Sequence, residues 1–289
     1  MNRMVCFAQH GRDKSKPKGT KREIAAYKKR MRTVSTVVAF LVVFCVIIIV
    51  SFYAEGFFTG PSLRANSTGG SLGGSVNDNS TRTSLKAALI DALSDSNVNE
   101  EFTDSLNRTL QEAGLGLDVY RGSEVTVDFL ERFAGGYKLV IFRVHSALSS
   151  DKQLYLFTGE PYSSEKYSQR LYLLVRVACA TESSQPVFAV NWGFVKMLMT
   201  GEFNGTLVVV MGCDGASDPL IAQEFVNQGA AGYVGWSGPV LLSHSDKAVL
   251  HLVEDLYVGR QPLKEAVDDT NSQVGRDPAS GSVLKCYIP

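Results

Sequence analysis

Cysteine is scarce in this chain, with five residues in 289, too few for a fold stapled by disulfides. Nor does any group of Cys, His and acidic residues have the spacing of zinc ligands, so neither a metal nor a cofactor is expected. Net charge is missing too, since 29 basic residues face 29 acidic ones. That balance is uneven along the chain. Residues 1–32 carry eleven Lys/Arg against Asp13 and Glu23, which leaves this tail nine units positive and the remainder nine units negative. Attraction to anionic lipid heads accounts for such a tail. Nothing in the fold pattern or the aromatic placement supports nucleic-acid binding. Internal repeats are absent as well.

Charge disappears altogether between Arg32 and Glu55. The intervening 33–54 segment is 22 residues long and apolar on every face, so as a helix it reaches across a hydrocarbon core of roughly 30 Å. A core helix of that length would keep one polar face. A cleaved signal peptide would have a shorter apolar stretch and a small-residue cleavage site, whereas this one runs into Phe52, Tyr53, Phe57 and Phe58. The expectation is a single uncleaved transmembrane helix over 33–54, with the basic tail 1–32 cytoplasmic and everything after it extracellular. Phe57 and Phe58 then sit at the membrane interface.

Residues 55–83 are rich in Gly, Ser, Asn and Thr and read as a flexible stalk, because they cannot bury enough surface to fold. Sequons for N-glycosylation fall at Asn66, Asn79, Asn107 and Asn204.

From residue 84 to 289 helical and strand patterns alternate, the signature of an α/β domain with a mostly parallel sheet. Residues 84–93 have helical spacing. Asn99–Gly114 is a second helix, with an Asn cap, early acids and a closing Gly. Leu117–Tyr120 reads as a strand and Thr126–Phe133 as a helix. Strands are also expected over Leu154–Phe157, 171–178, Pro186–Val190 and Ala231–Trp236. Further helices are expected over Trp192–Met199, Asp218–Gly229 and Asp246–Val258.

Two apolar runs stand out. Thr206-Leu-Val-Val-Val-Met-Gly-Cys-Asp-Gly215 stops at Cys213, and Tyr137-Lys-Leu-Val-Ile-Phe-Arg-Val-His-Ser146 stops at His145. Short β-branched runs of this kind are buried parallel strands. In an open α/β sheet, chemistry sits just beyond the carboxyl ends of such strands. A thiol and an imidazole delivered there point to a nucleophile, Cys213, with His145 as its general base. Gly212 and Gly215 let the backbone turn sharply beside the thiol. Backbone N–H groups at Cys213 and near Ser146 are candidates to hold an oxyanion. The competing reading is a small buried thiol beside an ordinary polar His.

A His-ended strand, a gap of 65–70 residues and a strand ending in Gly-Cys-Asp-Gly together resemble the caspase-like cysteine peptidases of clan CD. The stretch Cys213-Asp-Gly-Ala-Ser-Asp-Pro-Leu-Ile-Ala-Gln-Glu-Phe-Val-Asn-Gln-Gly-Ala-Ala-Gly-Tyr-Val-Gly-Trp-Ser-Gly-Pro239 resembles the gingipain-like and CHAT-domain branches of that family. The chain is also similar to membrane-anchored archaeal proteins with an Arg-x-His-Ser and Gly-Cys-Asp-Gly layout. The resemblance covers about 117–270. It implies a caspase-like three-layer α/β sandwich, with Cys213 as nucleophile, His145 as base, and Trp236, Ser237 and Gly238 lining the substrate pocket. Two positions depart from the family pattern. The family has Gly after the His, where this chain has Ser146, and Ala before the Cys, where this chain has Gly212.

Other candidates follow from position alone. Glu160 and Asp151, in the loop after His145, are placed to take a basic substrate side chain. Asp246 reads as a helix cap with His244 in the preceding loop, a simpler account than a metal pair. Three extracellular cysteines leave one unmatched; a Cys179–Cys286 bridge would leave Cys213 free, but three pairings are open. The expected activity is a membrane-anchored extracellular cysteine endopeptidase acting on proteins or peptides. The alternatives are a catalytically silent relative that binds a peptide or surface component in the same cleft, and a structural envelope protein with Cys213 buried or bridged.

Overall fold

A strand whose spacing reads as a helix lies inside the parallel sheet, next to its edge strand. In the computed structural model, which describes residues 85–289 apart from 134, 168–173 and 182, Lys86–Asp91 forms β1 rather than a helix. Ala87, Ala88, Leu89 and Ile90 are each 0 % exposed. A strand covered on both faces has no polar alternation, so its continuous apolar run also satisfies helical spacing. The basic tail, the 33–54 segment and the stalk lie outside the described residues. Among the described residues no helix is long and apolar enough to cross a membrane.

The chain continues through helix α1 (Glu100–Glu112), strand β2 (Gly116–Arg121), the short helix α2 (Val127–Glu131) and strand β3 (Leu139–Arg143). The helix starts follow their caps. The Asn99 side chain accepts the Phe102 N–H to open α1, and the Thr126 hydroxyl accepts the Phe129 N–H to open α2. Strands β4 (Ser146–Leu148), β5 (Leu154–Pro161), β6 (Val175–Ala178) and β7 (Val187–Val190) come next, followed by helix α3 (Trp192–Met197). Strand β8 (Leu207–Val210), helix α4 (Pro219–Asn227) and strand β9 (Gly232–Trp236) carry the second half of the sheet. Helix α5 (Leu242–Val253) ends in a π turn, Glu254–Val258, before helix α6 (Leu263–Gln273) and strand β10 (Leu284–Tyr287).

Six strands form one sheet in the order β10-β9-β8-β3-β1-β2. All pairings are parallel except that of β10 with β9. The expected single sheet is in fact two. Strands β4-β5-β7-β6 form a separate antiparallel sheet, built by the chain as it leaves the end of β3. One face of the parallel sheet packs Ile90, Phe142 and Val210 against Leu154, Leu156, Phe188, Phe194 and Phe225, from the antiparallel sheet, α3 and α4. The other packs Leu89, Ile141 and Val209 against Phe102, Leu106, Leu252 and Ala266, from α1, α5 and α6. This is an α/β architecture of three layers with a mostly parallel central sheet. Strand β10 and helix α6, which the sequence patterns left unassigned, close its far edge.

Candidate active site

Strands β3 and β8 are hydrogen-bonded neighbours in parallel register, with Phe142 opposite Val210. Their carboxyl ends therefore finish side by side, and the chain beyond each delivers one of the two expected residues. His145 follows β3 and is half-buried. Its carbonyl accepts the Phe157 N–H at 2.9 Å, and its ring meets that of Phe157 edge-on at 6.4 Å. Cys213 follows β8 and is also half-buried. The Val240 N–H points at its sulfur at 3.4 Å, and the thiol reaches the Val240 carbonyl at 3.7 Å. The sulfur thus meets both a backbone donor and a backbone acceptor of the same residue.

The turn that holds Cys213 is bound on all sides. Asp214 has a left-handed backbone, φ 60°, which Asp tolerates better than most residues. The Asp214 N–H donates to the Gly238 carbonyl at 2.9 Å, and the Ala216 N–H to the Trp236 carbonyl at 2.8 Å. Tyr233 and Tyr287 hydroxyls donate to the Gly215 and Ala216 carbonyls at 2.6 and 2.9 Å. A Cβ on Gly235 would lie 2.6 Å from the Gly215 carbonyl carbon, so the turn approaches β9 as closely as backbone allows. From the β3 side the Ser146 hydroxyl donates to the Cys213 carbonyl at 2.6 Å. Loops from two adjacent strand ends thus touch through their own hydrogen bonds.

The remaining candidates separate. Ser237 and Gly238 lie against the Cys213 turn: the Ser237 carbonyl accepts the Ser217 hydroxyl at 3.2 Å, and Gly238 holds Asp214. Trp236 does not line an open pocket. It is 1 % exposed, and its indole N–H donates to the Ser245 hydroxyl at 2.9 Å within the core. Glu160 is buried as well. Its carboxylate accepts the Val127 N–H at 3.0 Å, Lys166 at 2.7 Å and the Tyr167 hydroxyl at 3.0 Å, so it anchors the first turn of α2 instead of facing a substrate. Asp151 is exposed and takes donors from Ser149 and Gln153; the Ser149 hydroxyl holds its carboxyl below the usual range.

Asp246 is not a cap, because α5 begins at Leu242. It lies inside that helix and pairs with Arg143 at 2.9 Å, while Arg143 also meets Asp91 at 3.1 Å. Phe102 lies 5.6 Å beneath the guanidinium. Burial by itself would push the Arg143 pKa down, but the two carboxylates outweigh it and raise it. This network was missed in the sequence. Its signal was a lone Arg set between Phe142 and Val144 in an apolar strand, a place that demands buried counter-charge. His244 stacks obliquely on Trp236 at 5.5 Å and reaches the Gly275 carbonyl at 3.1 Å. No metal-binding cluster of His, Cys, Asp or Glu occurs among the described residues.

Cys286 is a free thiol, so the Cys179–Cys286 bridge does not form. Cys179 follows β6 in the antiparallel sheet, whereas Cys286 lies on β10 at the edge of the other. Burial pushes the Cys286 thiol up. No family model and no curated protein matches the chain, so the arrangement of these residues carries the functional reading.

Proposed function

We propose that this domain is a caspase-like cysteine endopeptidase. The observation that carries the reading is the pairing of β3 with β8, which brings the segments bearing His145 and Cys213 to the same end of the sheet and into contact through Ser146. The Cys213 sulfur, as thiolate, attacks the scissile carbonyl carbon and forms the C–S bond. Protonated His145 gives its proton to the departing amine as the C–N bond breaks. Water then attacks the thioester while His145 takes one of its protons. The acid leaves and the thiolate is restored. The substrates are proteins or peptides, and no cofactor takes part.

The same reading places the enzyme on a membrane. Residues 33–54 anchor it in the bilayer, the basic tail is cytoplasmic, and the catalytic domain is displayed outside the cell on the 55–83 stalk. The chemical part is tested by the pH dependence of iodoacetamide labelling at Cys213 in the full-length chain, beside His145→Ala. An activated dyad labels rapidly, with a thiol midpoint well below the reference of about 8.5, and loses that property in the variant. Slow labelling that the substitution leaves unchanged would sink it.

A second reading has its own support. The Ser146 hydroxyl occupies the space beside the nucleophile, and the thiol contacts the Val240 backbone. A catalytically silent domain that binds a peptide in this cleft would have the same features. It predicts peptide binding that survives Cys213→Ala and no turnover by the wild type.

A further inference from the structure

We propose that Ser146 is a positioning residue for Cys213 and that Ser146 and Gly212 are a matched pair. The proposal rests on the thiol-nucleophile reading above and names what aims that nucleophile. Ser146 is 7 % exposed, and its hydroxyl is spent on the Cys213 carbonyl, donating at 2.6 Å. The peptide that links Cys213 to Asp214 is therefore held at both ends. Its carbonyl is held by Ser146 from the β3 side, and its N–H by the Gly238 carbonyl, at 2.9 Å, from the β9 side. With that plane fixed and Asp214 left-handed, the Cα–Cβ bond of Cys213 has one direction, which carries the sulfur to the Val240 N–H. Without the hydroxyl, the carbonyl end is free to rotate and Asp214 to relax from a conformation that costs about 1 kcal/mol or more.

The pairing with Gly212 is steric. A Cβ built on residue 212 would lie 2.1 Å from the Ser146 hydroxyl oxygen and 3.0 Å from its Cβ. It would also meet the Val144 carbonyl at 2.7 Å. The room that alanine would need before the nucleophile is filled here by a serine reaching across from the other strand end. Ser after the His and Gly before the Cys are thus two halves of one arrangement. The two side chains cannot both stand at this contact, and the Val144 carbonyl still crowds a Cβ on residue 212 when Ser146 is removed.

The test uses the full-length chain with Ser146→Ala, Ser146→Gly, Gly212→Ala and the double variant Ser146→Gly/Gly212→Ala, read by iodoacetamide labelling of Cys213 across pH and by thermal melting. Ser146→Ala is expected to melt cooperatively and to label at least tenfold more slowly at pH 7 as the sulfur loses its fixed direction. Gly212→Ala lowers both the melting temperature and the labelling rate. Adding Ser146→Gly returns about half of the lost melting temperature, the rest remaining with Val144, as expected for residues in contact. Labelling of Ser146→Ala within twofold of wild type at every pH would overturn the positioning role. Strict additivity of the two losses would overturn the pairing and leave Val144 as the sole obstacle. Labelling reads the thiol itself, so these effects without cleavage of any peptide would remove the peptidase reading and leave the pair standing. Turnover that disappears in Cys213→Ala but stays within twofold in Ser146→Ala would remove the positioning role alone.

Discussion

Arg143 and Asp246, 103 positions apart, meet in a two-pronged pair in the core, Nε to Oδ1 at 2.9 Å and Nη2 to Oδ2 at 3.1 Å. Arg143 ends the strand that leads to His145. Asp246 follows Ser245, whose hydroxyl donates to the Met211 carbonyl at 3.0 Å, just before the Cys213 turn. The pair therefore ties α5 to both strand ends that carry the proposed chemistry. Replacing Arg143 by Met leaves Asp91 and Asp246 buried without counter-charge, and removing one partner of such a group costs about 3–5 kcal/mol. Arg143→Lys keeps the charge but loses the fork that matches two carboxylates. Urea denaturation should rank the two variants in that order, with Arg143→Met the less stable. Equal stability of Arg143→Met and wild type would show that the pair is dispensable.

Asp91 makes the opposite case, because one guanidinium faces two acids. Burial raises the Asp91 pKa and outweighs the lowering by Arg143. A carboxyl whose folded pKa lies above its unfolded value of about 3.9 contributes stability below that value, and the contribution is lost as pH rises through the folded pKa. Asp91→Asn removes this dependence. Its stability deficit should be largest near pH 3–4 and should shrink toward neutrality, where the remaining Arg143–Asp246 pair is balanced one to one. Denaturation curves at pH 4 and pH 7 check the sign. A deficit that grows with pH would mean that the ionised Asp91 is the stabilising form.

Which parts of this fold could be read from the sequence depends on the range of the forces that define them. Caps act within one helical turn, so Asn99 and Asp218 announced α1 and α4, and each accepts the expected N–H, from Phe102 and Leu220. The apolar runs stop at His145 and Cys213, two and three residues past the ends of β3 and β8, because burial on both faces favours apolar residues along the strand, Arg143 being the exception. Distant partners were not legible. Nothing near Arg143 names Asp246 or Asp91, and nothing near Trp236 says that its indole N–H is used by Ser245. The division into two sheets was hidden as well, since β4 begins only three residues after β3 ends and both are apolar.

Glu160 was a substrate-pocket candidate, and its contacts predict a different behaviour. Glu160→Ala leaves the Val127 N–H without its acceptor at the start of α2 and should cost about 1–3 kcal/mol. Glu160→Gln keeps an acceptor oxygen there and loses only the charge facing Lys166 and Tyr167. The Lys166 pair is open to solvent on the lysine side, 57 % exposed, so that loss is worth about 1 kcal/mol or less. Neither substitution should alter which peptides are cleaved. Melting curves and a peptide-library profile check both halves, and a changed preference in Glu160→Gln would return the residue to the pocket.

Asp277 controls the loop that faces the thiol. Its carboxylate accepts the Leu241 N–H at 2.7 Å and the Ala279 and Ser280 N–H groups at 3.0 and 2.9 Å. Leu241 follows Val240, the residue whose N–H meets the Cys213 sulfur. Burial alone would raise the Asp277 pKa, but these donors, Leu241 foremost, overcome it and hold the carboxyl low. A depressed carboxyl contributes stability above its unfolded pKa of about 3.9, and that contribution is lost as pH falls through the folded value. Asp277→Ala should therefore lose about 2 kcal/mol at pH 7, since three backbone donors lose an ionised partner, and its deficit should narrow below pH 4. The Val240 N–H would lose its fixed aim, so labelling of Cys213 should slow at pH 7 even where the variant remains folded. Asp277→Asn, which keeps one acceptor oxygen, should fall between the two. A deficit that stays constant from pH 7 to pH 3, with unchanged labelling, would show that Asp277 neither titrates as argued nor steadies the thiol.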